Sequence, residues 1–452
     1  MRIPNTLRRR LGLLALGAIV VAALVGGCGQ AAPAPSSMEV IHASYLDLTA
    51  NLADLRSRVT EWQKGDEGSL NIAKEKLERS EIVLGAPGWP QALAPAVAKA
   101  KAALGTMDKA LQAADVAAAQ AATVVLGDAS HDLTHAFYGD WLPELEGERY
   151  SPLAAHVVYL DLSANLADVQ SRLAAWGQGD ESSLNIAVEK VERAEVLVNH
   201  MYATGVLVKR LPPVQRGLVA LFPALQAKDL PAAQAAAQPL AASAQDLTQD
   251  AYVWLDLVKA GDDPSSVQAS YLDLSRNIAA LRSGVAASQK GNHTGLDLAR
   301  QHLARVQTVL QHAVWPYEMG EAIDRARSAV GPMASALGTG DPAAAEAASV
   351  AFGEASHDVT HAYYGNWLAT GVLQSATAQG GAAQQPARAS SGGHVHDAAP
   401  AEQVAAADAG PHWPIIGGFA AALALVVGAA ALTKPKAVAR ETRASLPEAG
   451  EA

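Results

Sequence analysis

Cysteine is almost absent from this chain: Cys28 is the only one, which excludes an intramolecular disulfide. Aromatic residues make up only 5% of 452, too few for a core built on aromatic and β-branched strand pairs. A basic surface is lacking too. The formal net charge is −11 and no Lys/Arg face stands out, so nucleic acid is not an expected partner. No stretch alternates apolar and polar residues as a strand would, and there is no Gly-rich phosphate loop, no nucleophile triad and no CxxCH haem motif. What is present is a chain half apolar and rich in Ala, the composition of close-packed helices.

Long apolar runs are confined to the two ends. Arg2, Arg8, Arg9 and Arg10 precede a run from Leu11 to Val25, which ends in Val25-Gly26-Gly27-Cys28. Small residues before a lone cysteine resemble a bacterial lipobox, so residues 1–28 are read as a lipoprotein signal with Cys28 the lipidated residue. At the other end, Ile415 to Leu432 carries no charge, follows Trp413, and is followed by Lys434, Lys436, Arg440 and Arg443. Its length as a helix is about 27 Å, enough for one membrane span, and the basic flank places the tail 433–452 in the cytoplasm. The expected address is the bacterial cell membrane, anchored at both ends, with the body on the extracytoplasmic side.

The body repeats. Tyr45-Leu46-Asp47-Leu48 returns as Tyr159-Leu160-Asp161-Leu162 and as Tyr271-Leu272-Asp273-Leu274, and the same offsets carry His131 to Gln245 to His357. Three units follow, 38–144, 152–257 and 264–369. Each reads as four amphipathic helices. Tyr45, Leu48, Leu52, Leu55, Val59 and Trp62 mark the first by steps of three and four. Gly65-Asp66, Gly179-Asp180 and Gly291-Asn292 end it and cap the second; Asp115, Asp229 and Asp341 cap the fourth. The predicted fold is all-α, three tandem four-helix bundles joined by short loops. Residues 370–411, rich in Gly, Ala, Gln, Ser and Pro, are read as a disordered linker, in which His394 and His396 form a weak metal motif.

The candidate chemistry lies on the fourth helix. Asp128, His131, His135 and Tyr138 share one face in the first unit, and Glu354, His357, His361 and Tyr364 share it in the third. A carboxylate and two imidazoles at this spacing can give three ligands to Zn, Cu or Ni, with Tyr138 and Tyr364 as candidate further ligands. The middle unit has Ala242, Gln245 and Gln249 there, so all three ligands are missing together. The core stripe of this helix, Leu126, Ala129, Leu133 and Phe137, lies nearly opposite, which turns the His face to solvent or to a neighbouring unit. Two histidines on one face of one helix cannot take both axial positions of a haem, so no haem is expected.

His131-Asp132-Leu133-Thr134-His135 is similar in spacing to the metalloprotease HExxH. However, the aspartate persists as Asp246 where the histidines are gone, which points away from a general base and from an enzyme. Glu75 and Glu78, echoed by Glu189 and Glu192, read as a solvated face beside Lys76 and Lys190. Asp47 and Asn51 recur in every unit and are expected to bond across the bundle. His42, His156, His200, His293, His302 and His312 show no shared pattern and are assigned no role. Two functional expectations follow: a membrane-anchored binder of a divalent metal for storage, relay or sensing, or a scaffold with incidental histidines that meets another protein at the cell surface.

Overall fold

The computed structural model describes residues 37–85, 88–144, 155–200, 205–257, 263–292 and 294–370. Cys28, the 415–432 span, the tail, and His394 and His396 lie outside them. All described elements are helical, and none of these helices is long and apolar enough to cross a membrane. The first stretch holds α1 (Ser37–Gln63), α2 (Gly68–Gly85), α3 (Ala94–Gln112) and α4 (Val116–His135). Next come α5 (Ala155–Gly177), α6 (Ser182–His200), α7 (Leu211–Gln226) and α8 (Leu230–Leu257). The last four are α9 (Pro264–Gln289), α10 (Gly295–His312), α11 (Gly320–Thr339) and α12 (Pro342–His361). Consecutive helices pack as pairs, first with second and third with fourth.

The turns follow from the punctuation in the sequence. Gly65, Gly179 and Gly291 have φ of 100°, 97° and 88°, a left-handed conformation that only glycine adopts without strain. Asp66, Asp180 and Asn292 then accept the backbone N–H two residues on, at 3.1 Å each. At the starts of α4, α8 and α12, Asp115 and Asp229 accept the backbone N–H three residues on and Asp341 the one two residues on. The predicted core stripe of α4 is as expected: Leu126, Ala129, Leu133 and Phe137 are fully buried. Each large side chain among them contributes about 1.5–3 kcal/mol.

The fourth helices differ in one respect that can be traced to a single residue. Residues 128–142 and 354–368 have one residue more than 242–255 between matching ends. The surplus is taken up by a π-helical turn, Ala136–Trp141 after α4 and Ala362–Trp367 after α12, whereas α8 runs on as regular α-helix. The turn brings Phe137 flat against Tyr45 at 3.8 Å and Tyr363 flat against Tyr271 at 3.7 Å.

Helices α1, α5 and α9 touch one another at the centre of the molecule. Their N-terminal halves are buried on all sides, from Met38 to Leu48, Ala155 to Leu162 and Ser265 to Leu274. A helix buried all round should be apolar all round. These carry His42, Asp47, His156, Asp161, Gln268 and Asp273, so the centre must satisfy its own polar groups. All but the Gln268 amide oxygen are met, in a closed circuit. His42 Nε2 meets Asp161 at 2.8 Å, His156 Nε2 meets Asp273 at 3.0 Å, and Gln268 donates to Ser44 at 3.2 Å. The same three aspartates receive tyrosine hydroxyls from the preceding stretch. Tyr138 donates to Asp161 at 2.6 Å, Tyr252 donates to Asp273 at 2.5 Å, and Tyr364 donates to Asp47. The last contact joins the end of the described chain back to its beginning.

This corrects two expectations. Asp47 and Asn51 do bond to each other, through Asn51 Nδ2 at 2.9 Å, but the partner across is Tyr364 of the third unit rather than a helix of their own bundle. His42 and His156 do have a pattern, being spaced by the same offset as the Tyr-Leu-Asp-Leu motif.

Candidate metal centre

The tyrosine hooks decide where the histidines point. Tyr138 shares a face with His131 and His135, and its hydroxyl is fixed on Asp161 of α5. The face therefore turns toward the second unit, and the imidazoles meet α6. Tyr364 on Asp47 turns His357 and His361 toward α2 in the same way. The His face takes both directions open to it, lying against the neighbouring unit with its imidazoles still exposed to solvent.

Two groups of three ligating side chains result. His131, His135 and Glu189 form one, and His357, His361 and Glu75 form the other; within each, one ligand atom per residue lies within 4.8 Å of the others. His357 and His361 bring their Nε2 atoms to 3.2 Å. Two imidazoles on one tetrahedral Zn²⁺, with Zn–N of about 2.0–2.1 Å, would hold their nitrogens about 3.4 Å apart. Glu75 Oε1 is 3.9 Å from His357 Nε2, so a small side-chain rotation closes the triad. The His131–His135 pair has the same form, with ring centroids 4.3 Å apart in both pairs and rings near perpendicular.

Electrostatics suit a cation. Burial, the neighbouring His357 and Arg79 hold the His361 pKa below its usual value, in that order. Its imidazole is thus neutral near pH 7, as ligation requires. The His357 side chain is 58% exposed, so an ion could reach the site from solvent and keep water in an open position. Glu75 pairs with Arg79 and Glu189 with Arg193, and each guanidinium lies over the ring of the hook tyrosine, Arg79 at 5.2 Å from Tyr364 and Arg193 at 5.4 Å from Tyr138. Glu75 and Glu189 are thereby held in place, where the sequence had suggested a freely solvated face.

The remaining candidates sit elsewhere. Asp128 and Glu354 are exposed and belong to neither group. The carboxylate comes from the neighbouring unit instead of the same helix. Tyr138 and Tyr364 are buried with their hydroxyls engaged on Asp161 and Asp47, and burial followed by those carboxylates pushes both phenol pKa values well up. Asp132 bonds Lys99 of α3 at 2.5 Å, Asp246 bonds Arg210 at 2.8 Å and Asp358 pairs with Arg325 at 3.2 Å. This aspartate ties the fourth helix to the third in units one and three, and to the residue just before the third helix in unit two.

The third interface, between α8 and α10, answers the other two. At the positions of the two histidines and the glutamate stand Gln245, Gln249 and Gln301. A neutral amide replaces each ligand on both sides of the contact. The sequence signal for Glu75 and Glu189 was present, since both change to Gln301 in the same register as the histidines change to Gln. It was hidden because partners in different units cannot be paired from spacing along one helix. Comparison with protein-family models, curated proteins and solved structures gives no match, so this chain's chemistry has to be read from its own residues.

Proposed function

We propose that this is a membrane-anchored extracytoplasmic protein, three four-helix bundles in a ring, that binds two divalent transition-metal ions between bundles. Each ion is held by two histidines of one bundle and a glutamate of the next: His131, His135 and Glu189 at one interface, His357, His361 and Glu75 at the other. The signal at Cys28 and the span 415–432 hold the ring at the cell membrane. Zn²⁺, Cu²⁺ and Ni²⁺ all accept this nitrogen and oxygen donor set. The observation that carries the reading is the covariation across the interfaces: both imidazoles and the facing carboxylate occur together twice, and all three are glutamine at the third.

An ion at such a site does more than occupy a surface. Its carboxylate ligand leads through Arg79 to Tyr364 and from there to Asp47, a chain of contacts from the ion to the buried centre. At the 3/1 interface the ion would tie the last unit to the first. Storage, relay or sensing all fit this arrangement. The second reading is a scaffold, which one observation favours: Glu75 and Glu189 already have arginine partners without an ion.

The test is a metal titration of the full chain, read by competition with a chromophoric chelator. Two ions per chain are expected, one in His135→Gln or His361→Gln, and none in the double variant. Absence of binding at micromolar ion, or equal binding by all three variants, would leave the scaffold.

A further inference from the structure

The three first helices do not fill the centre of the ring. With the second and fourth helices they line a partly open cavity of about 510 Å³, within the range of about 300–1,000 Å³ usual for small-molecule sites. Its walls repeat three times: Tyr45, Tyr159 and Tyr271, with Leu46, Leu160 and Leu272 beside them. The Asp and Asn beside them repeat as well, but the other charged groups repeat as a full set only in the first two units.

In the first unit's sector, Lys76 pairs with Asp54 at 2.8 Å and Arg79 pairs with Glu75, beside Asp47. In the second, Lys190 pairs with Asp168 at 2.7 Å and Arg193 pairs with Glu189, beside Asp161. Each of these sectors has two cations and three carboxylates, of which the glutamate lies behind the wall. In the third, the equivalent positions hold His302 and Ala280, then Arg305 and Gln301, beside Asp273. Two carboxylates have gone. Arg276 has been added where the other units have Ala50 and Ala164. This sector has two guanidiniums and one carboxylate of its own, engaged by Tyr252, Asn277 and His156; Asp161 of the second unit also acts on Arg276, but it is engaged by His42 and Tyr138. Neither Arg276 nor Arg305 makes an ion pair among the described residues; Arg276 donates to the carbonyl of Leu160 at 3.0 Å, and Arg305 lies over Tyr252 at 5.5 Å.

The cavity also reaches outward on this side. Ala241, Ala244, Gln245 and Thr248 of α8 line it opposite Gln301 of α10. At the other two interfaces the positions of Gln245 and Gln301 belong to the histidine–glutamate groups, none of which lines the cavity. A guanidinium unpaired in a low-dielectric setting is costly unless an anion meets it, and its planar fork matches carboxylate and phosphate oxygens.

We infer that the central cavity binds one small organic anion, with its carboxylate or phosphate on Arg276 and Arg305 and its apolar body against the tyrosine and leucine walls. The site is separate from the metal groups. It gives the unit 2–unit 3 interface a role of its own, accepting an anion where the other two accept cations.

The test is isothermal titration calorimetry of metal-free full chain with phenyl phosphate, with benzyl alcohol as the neutral counterpart. Expected is saturable binding of one phenyl phosphate per chain, with benzyl alcohol not saturating in the same range. Arg276→Ala should weaken phenyl phosphate by about tenfold or more, since a hydrogen bond to a charged group is lost. Arg276→Gln should do the same, and His361→Gln should leave it unchanged. Alanine already stands at this position in the other two units, so Arg276→Ala should keep the helical melt of the parent protein. No saturable binding of phenyl phosphate, or equal affinity in Arg276→Ala and parent, would overturn the inference.

Discussion

Removing Glu75 tests whether the ligand set crosses between units. In a His135→Gln background only the 3/1 site remains, so one affinity is read. Glu75→Gln keeps the size of the side chain and takes away the anionic oxygen that lies 3.9 Å from His357 Nε2. Losing a residue that merely orients a ligand costs about 10–100-fold in metal affinity, and losing a ligand should cost no less. The expected loss is therefore at least about tenfold, or about 1.4 kcal/mol. Glu354 lies on the same helix as the histidines but is exposed and outside the group, so Glu354→Gln should change affinity less than about twofold, the usual size of a surface effect. Competition titration with a chromophoric chelator measures both, with far-UV circular dichroism as the check on folding. A loss in Glu354→Gln without one in Glu75→Gln would refute the inter-unit triad and restore a single-helix site.

Other outcomes follow from the same geometry. Combining Gln245→His, Gln249→His and Gln301→Glu should raise the ion count from two to three; a count still at two would mean that more than these ligands distinguishes the interfaces. His302 is buried, and burial followed by Arg305 lowers its pKa to about 3. The unfolded chain, near 6.5, binds its proton first as pH falls, so His302 costs stability below about pH 6.5, at about 1.4 kcal/mol per pH unit down to about pH 3. His302→Gln should flatten that acid limb in urea melts, and superposable limbs would contradict the assignment. His42→Ala removes a partner of buried Asp161 and should destabilise by about 3–5 kcal/mol, the usual cost of breaking a buried pair; a change within error would mean that Tyr138 and Asn165 suffice.

Much of this fold was legible because its signals are local. Helix periods, Gly-Asp turns and Asp caps act within a few residues, and the Leu126–Phe137 stripe was buried as its spacing required. The ring was not legible, because its contacts cross between units, His42 meeting Asp161 from 119 positions away and Tyr364 meeting Asp47 from 317. Asp161 reads as a polar residue on a helix until His42 and Tyr138 are seen to meet it from another unit. The same limit split the candidate metal site. His131 and His135 lie one helical turn apart and stood out at once, whereas Glu189 sat beside Lys190 and Arg193 like any exposed charge. Asp128 had the right spacing but lies outside the group that the fold brings together. The π-turns had a signal that went unread, one residue more in 128–142 than in 242–255.

The central claim is that two interfaces hold an ion and the third does not. Anomalous diffraction from crystals of the full chain grown with Zn²⁺ tests it most directly. The expected map has two peaks per chain, one among His131, His135 and Glu189 and one among His357, His361 and Glu75, with none among Gln245, Gln249 and Gln301. A peak at the glutamine interface, peaks on the Asp128 and Glu354 side of the helices, or no peak at either histidine pair would contradict it.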